Sequence, residues 1–202
     1  MRRIFSHPVT PLVFGLCLRL LFVLRFPATS GDTVLYEQMA TNWLKHGMYA
    51  MNVNGAIQLV DLRMPGYPAY LALVSLLTGK SAEASRLWAM LGQVVVDLLG
   101  CLVIAALAMV LLIPAMEQAS KPKRVLMAAL WLAALCPFTA NYTAVPLTEV
   151  FAVFLTGVAT LFFLLQLQVY ACGFVLPFPV RNKRLQSFIG RNSLFFLSLI
   201  HI

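Results

Sequence analysis

Apolar residues gather into four runs long enough to cross a bilayer, at residues 8–28, 87–113, 124–144 and 149–171. A spanning helix needs about 20 largely apolar residues, so each run predicts one crossing. The first follows a positive start at Met1-Arg2-Arg3, as a signal peptide would. No A-x-A-like cleavage site follows it and Arg19 interrupts its apolar core, so it reads as a retained span. A fifth run, PGYPAYLALVSLL from Pro65 to Leu77, opens with two prolines and is about 13 residues long, which predicts an interfacial or re-entrant helix rather than a crossing.

Between the first two spans lies a polar stretch, residues 29–86. Within it Leu35, Tyr36, Met39, Trp43 and Leu44 recur near a 3.6-residue period, predicting a helix from Thr33 to His46 that lies on the membrane. Gly47 is a natural stop, and Asn54-Gly55 marks a turn. The expected architecture is therefore an all-α integral membrane protein of about four transmembrane helices, with short juxtamembrane helices in the first outer loop.

Charge orients this arrangement. The chain carries 15 basic and 7 acidic residues, a net +8, with only 11% charged and 61% hydrophobic positions. Bulk composition places it in lipid. With Arg2 and Arg3 inside and the Pro65–Leu77 run not spanning, Lys121, Lys123 and Arg124 fall on the cytoplasmic side, as do Arg181, Lys183 and Arg184. The 29–86 loop then faces outward. Basic blocks between apolar runs are the pattern of cytoplasmic loops, so nucleic acid is not an expected partner. Cys17, Cys101, Cys136 and Cys172 sit inside apolar runs without CxxC spacing or nearby histidines, reading as small hydrophobes rather than a metal site or disulfide framework. Residues 173–202 change character: a proline-broken segment, the basic RNKRLQSFIGRN, then LFFLSLIHI, whose end resembles a translated sequencing adapter. That tail is left unassigned, as truncated or artefactual.

Polar chemistry concentrates in the outer loop. Asp32, after Gly31 at the outer end of span one, is placed to take a proton from a nucleophile or to cap the helix that follows, with Tyr36 four residues on as a substrate contact. Arg63, before the rigid Met64-Pro65-Gly66-Tyr67-Pro68 turn, suits a lipid phosphate, or is an interfacial anchor with Tyr67 and Tyr70. In PLTEVF, Thr148 or Glu149 caps span four, or Glu149 positions a substrate. Asp97 and Arg19 lie inside spans, where an unpaired charge is costly, so each should face the bundle or find a partner. Asn141-Tyr142-Thr143 fits an N-x-T pattern close to the membrane. No nucleotide fingerprint, HExxH or G-x-S-x-G is present, and no cofactor or metal is expected.

In order, LRLLFVLRFP, GDTVLYEQMATNWLKHGMY, RMPGYPAYLALVSLLTG, the Arg86 region with span two, and CPFTANYTAVPLTEVFAVFL resemble the N-terminal third of the GT-C membrane glycosyltransferases. The similarity is to the family 39-like group of protein O-mannosyltransferases, lipid A aminoarabinose transferases and the RgtA/B/C/D-like domain, over roughly residues 15–170. It implies residues 1–172 as the first part of a GT-C transmembrane domain in a multi-pass, bacterial inner-membrane enzyme. The implied reaction is inverting transfer from a polyprenyl-phosphate-linked sugar to an extracytoplasmic glycan, lipid or protein acceptor. Asp32 matches the first-loop acidic position, as general base or acceptor-orienting group. Some relatives have two adjacent acids there, whereas this chain has Asp32-Thr33. Arg63 matches a basic residue contacting the lipid phosphate, and Glu149 a glutamate with a structural or substrate-positioning role. Relatives carry more spans, so the sequence given reads as a fragment that is inactive by itself. The alternative is a small transporter or permease subunit with Asp97 and Arg19 lining a path, although no internal repeat is visible.

Overall fold

A computed structural model describes residues 7–60, 63–112 and 122–175. The chain is mostly helical, with α1 at Val9–Arg25, α2 at Gly31–His46, α3 at Gly66–Thr78, α4 at Arg86–Leu112, α5 at Pro122–Ala134, α6 at Pro137–Tyr142 and α7 at Glu149–Val175. Strands β1 (Ala50–Val53) and β2 (Ala56–Leu59) intervene between α2 and α3. Among the described residues, two helices are long and apolar enough to cross a membrane, over Arg86–Leu111 and Glu149–Leu167. Arg2, Arg3, Lys121, Arg181, Lys183 and Arg184, which carry most of the orientation argument, lie outside the described residues, as does the tail from residue 176.

Three local features differ from the sequence reading. The apolar run at 124–144 is not one helix, because α5 ends at Ala134 and α6 restarts at Pro137. Proline has no N–H to donate and pushes the residue before it, Cys136, away from helical geometry. The helix expected from Thr33 begins two residues earlier, at Gly31, because Ser30 is its cap: the Ser30 hydroxyl accepts from the Thr33 N–H at 3.2 Å, and the Thr33 hydroxyl accepts from the Ser30 N–H at 3.1 Å. This reciprocal capping box relieves the helix start and leaves the Asp32 carboxylate free of capping duty. The outer loop is also not wholly helical. Residues around Asn54-Gly55 form an antiparallel hairpin pairing Val53 with Ala56 and Ala50 with Leu59. Asn54 and Gly55 take φ of 51° and 82°, the positive values that a two-residue type I′ turn requires.

Other expectations hold. Gly47 closes α2 in the left-handed region at φ 64°, its N–H donating to the Trp43 carbonyl. The Pro65–Leu77 run is a single 13-residue helix closed by Gly79, about 20 Å long and too short to cross a hydrocarbon core. Pro68 falls in its first turn, where backbone N–H groups lack intrahelical partners anyway.

The chain divides into two compact units. One comprises residues 16–97 and 137–150. Its core holds Met39, Ala40, Ala50, Tyr67, Leu71, Ala89 and Val94, together with a buried ion pair between Arg19 of α1 and Asp97 of α4. Both charges that the sequence places inside spans are thus satisfied by each other. The other unit comprises the described parts of residues 1–15, 98–136 and 151–201. Small side chains dominate its buried positions, with Ala105, Ala133, Ala134 and Ala159 among them. A Cβ added at Gly157 would stand 3.1 Å from the Val103 side chain, the close helix approach that small residues permit in membrane bundles. Phe14 and Trp131 stack in the same unit with centroids 5.6 Å apart.

Candidate functional site

The site is assembled from α2, the segment before α3, and the Thr143–Glu149 stretch, all in the first unit. Ser30 fixes the start of α2 and so sets Asp32 in its first turn, where the helix dipole favours an anion. Thr33, fully buried, donates its hydroxyl to the Pro146 carbonyl at 3.1 Å, and the Ala28 N–H donates to the Ala144 carbonyl at 3.0 Å. These two bonds tether the proline segment preceding Glu149 to the beginning of α2.

Arg63 reaches across 31 residues of sequence and donates from Nη2 to Asp32 Oδ1 at 2.9 Å. Their side chains are 43% and 44% exposed, so the pair is open to solvent. The backbone behind Arg63 is held by Tyr49, whose hydroxyl donates to the Arg63 and Met64 carbonyls at 3.1 and 3.2 Å. Tyr49 is in turn braced edge-on by Trp43, with centroids 5.4 Å apart. Burial and the neighbouring Tyr36 push the Tyr49 hydroxyl above its ordinary pKa, against the opposing charge of Arg63. Tyr49 therefore stays a neutral donor.

Tyr36 is buried, its ring meeting Tyr67 edge-to-face at 5.3 Å. It supports the site from beneath rather than presenting an open surface to a ligand. Tyr67 extends the aromatic cluster to Tyr70, and its hydroxyl donates to Gln93 Oε1 at 2.8 Å. The Gln93 amide then donates to the Val145 carbonyl at 3.0 Å. Burial, followed by the charges of Tyr70, Glu149 and Glu37, pushes the Tyr67 hydroxyl far above the usual phenol range. Glu149 opens α7 as an exposed carboxylate, close enough to Tyr67 for its charge to be felt there. Of the four residues singled out by sequence, Asp32 and Arg63 meet directly, Tyr36 lies under them in the core, and Glu149 joins through the tethered proline segment.

The sequence reading missed a second pair. Glu37, nearly buried, accepts two hydrogen bonds from Arg86 at 2.5 and 2.7 Å, and Glu83 stands 3.8 Å from the same guanidinium. The signal was available: Glu37 stands between Tyr36 and Met39 on the periodic helix α2, and Arg86 stands where α4 begins. Among the described residues, no group of three or more His, Cys, Asp or Glu side chains is placed to hold a metal ion. The arrangement offers a carboxylate that can accept a proton beside a guanidinium that can engage an anion. Comparison with protein families, with characterised proteins and with solved structures found no match.

Proposed function

We propose that the chain belongs to a GT-C-type membrane glycosyltransferase, in which Asp32 and Arg63 act on an acceptor and a polyprenyl-phosphate-linked sugar at the outer membrane surface. The observation that carries this reading is the solvent-open Asp32–Arg63 pair, joined at 2.9 Å across 31 residues. An exposed ion pair contributes only about 0–1 kcal/mol, so an incoming phosphate can take the guanidinium at small cost and release the carboxylate. Asp32 then accepts the proton of the acceptor hydroxyl while its oxygen attacks the anomeric carbon. The bond from that carbon to the phosphate oxygen breaks, and the polyprenyl phosphate leaves with the electron pair. Arg63 stabilises the negative charge growing on that phosphate, and attack opposite the leaving group inverts the anomeric centre. Glu149 orients the acceptor beside Tyr67.

Four crossings, with residues 29–86 outside, complete the proposal; the third is then a span interrupted before Pro137, since α5 by itself has the same 13 residues as α3. It is supported by α4 and α7, whose most apolar windows are only 28% and 17% buried within the protein, whereas a soluble core helix would be mostly covered. Against the transporter alternative, Arg19 and Asp97 engage each other in a buried pair, a role that needs no transport path. An impermeant maleimide should label Gly55→Cys in intact cells; labelling only after permeabilisation would overturn the orientation. In membranes where the wild-type chain supports sugar transfer from a polyprenyl-phosphate donor, Asp32→Asn should abolish that transfer, and Arg63→Ala should raise the KM for the donor. Undiminished transfer by Asp32→Asn would remove the base assignment.

A further inference from the structure

α2 has a second polar face. At 100° per residue, Val34, Glu37, Gln38 and Thr41 share one side of the helix, whereas Asp32, Tyr36 and Met39 occupy the opposite side. The first side forms one wall of a groove of about 420 Å³, closed by Asn42 and Asn52 and by Ser81, Glu83 and Arg86 of the α3–α4 connection. This volume falls within the range of small-molecule sites, about 300–1,000 Å³, but such sites are usually lined by apolar side chains. Here only Val34 is apolar.

The lining selects a ligand by exclusion. An anion is disfavoured, because the single guanidinium is already engaged by Glu37 and has Glu83 beside it. Two carboxylates against one guanidinium leave the groove slightly negative. A lipid chain would cover the carbon atoms that make up somewhat more than half of the lining, but would leave the amides, hydroxyls and charges among them unpaired, each at a cost. A peptide adding to the hairpin edge would need the Ala50 carbonyl, which Asn42 occupies with its Nδ2 at 2.9 Å. What remains is a neutral ligand offering many hydroxyls to a mixture of donors and acceptors. Gln38 strengthens the case: its Oε1 is cut off from solvent and has no hydrogen-bond partner. The terminal amide torsion is soft, so a modest rotation lets it meet a hydroxyl in the groove.

We propose that the groove between α2 and the α3–α4 connection is a saccharide-binding site, separate from the Asp32–Arg63 pair on the other face of α2. It takes one sugar unit through Thr41, Asn52, Gln38 and Ser81. Assigning that unit to the acceptor glycan rests on the proposed transfer reaction; the binding itself does not.

The test uses the protein in a sugar-free detergent or in nanodiscs, titrated with the methyl glycosides of mannose, glucose, galactose and N-acetylglucosamine and read by saturation-transfer NMR. At least one should bind saturably. Thr41→Val and Asn52→Ala should each weaken it about fivefold, the effect of one lost hydrogen bond, while Thr41→Ser restores affinity and Gln58→Ala, on the exposed strand β2 outside the groove, leaves it unchanged. No binding by any of the four glycosides would overturn the proposal. So would equal binding in both groove variants, failure of Thr41→Ser to restore affinity, or loss of binding in Gln58→Ala. Displacement of the glycoside by a short neutral peptide would also overturn it, in favour of peptide recognition. Saccharide binding without any transfer would leave this site standing and refute only the reaction; transfer without groove binding would do the reverse.

Discussion

Replacing Asp97 by alanine leaves Arg19 charged, fully buried and without its carboxylate partner. Breaking one side of a buried ion pair costs about 3–5 kcal/mol, because the remaining charge keeps its desolvation penalty and loses the attraction that offset it. For a helix in lipid the scale is similar, with an isolated charge at its centre costing about 2.5–3.5 kcal/mol in insertion measurements. The folded-to-unfolded ratio should therefore fall by a factor of about 10² to 4 × 10³ in Asp97→Ala, since each 1.4 kcal/mol is tenfold. Arg19→Met should cost somewhat less, because Asp97 retains slight exposure and is reached more easily by water. Removing both charges in Arg19→Met with Asp97→Leu substitutes apolar volume for the pair, a change that is often neutral or stabilising by about 1–4 kcal/mol. The assay is a double-mutant cycle, closed with Asp97→Leu and Arg19→Met as its single variants, on reversible denaturant unfolding in micelles, with membrane insertion followed in parallel. A double variant that loses as much as the two singles combined would refute the reasoning, since it would mean that the charges do not depend on each other.

Two further expectations follow from the same unit. A Cβ on Gly92 would lie 2.1 Å from the Tyr70 hydroxyl, which donates to the Ala89 carbonyl at 2.7 Å, so Gly92→Ala should lower stability by about 1–3 kcal/mol through overpacking. Tyr70→Phe in that background should recover part of the loss in a thermal melt; no recovery would place the clash elsewhere. Burial pushes the Tyr70 hydroxyl up to about 12 from an ordinary 10.0, and Tyr67 moves in the same direction. Folding then favours the protonated phenols, so their contribution is complete below about pH 10 and is lost as pH climbs through the folded-state values. Denaturant midpoints should stay level near pH 9 and drop near pH 12, and Tyr70→Phe should flatten that drop; an unchanged alkaline slope would contradict it.

What the sequence determined is local. The helix through Tyr36 and Trp43, its stop at Gly47, the Asn54-Gly55 turn and the short helix after Pro65 rest on periodicity and on the φ preferences of glycine and asparagine. These act over a few residues and need no knowledge of the rest of the chain. The uninterrupted run at 124–144 misled because hydropathy ignores the backbone: Pro137 is apolar enough to sit in a span yet breaks the helix there. On residue type Asp32 was the cap the sequence offered, and the conformation of Ser30 with its bond from Thr33 gave that role to Ser30 instead. The tertiary structure alone decided the pairings. Arg63 meets Asp32 across 31 residues, Arg86 meets Glu37 across 49, and Arg19 meets Asp97 across 78. No periodicity encodes such meetings, because they depend on which faces of distant helices come to pack together. The charges were legible in the sequence as charges needing partners; the fold supplied the partners.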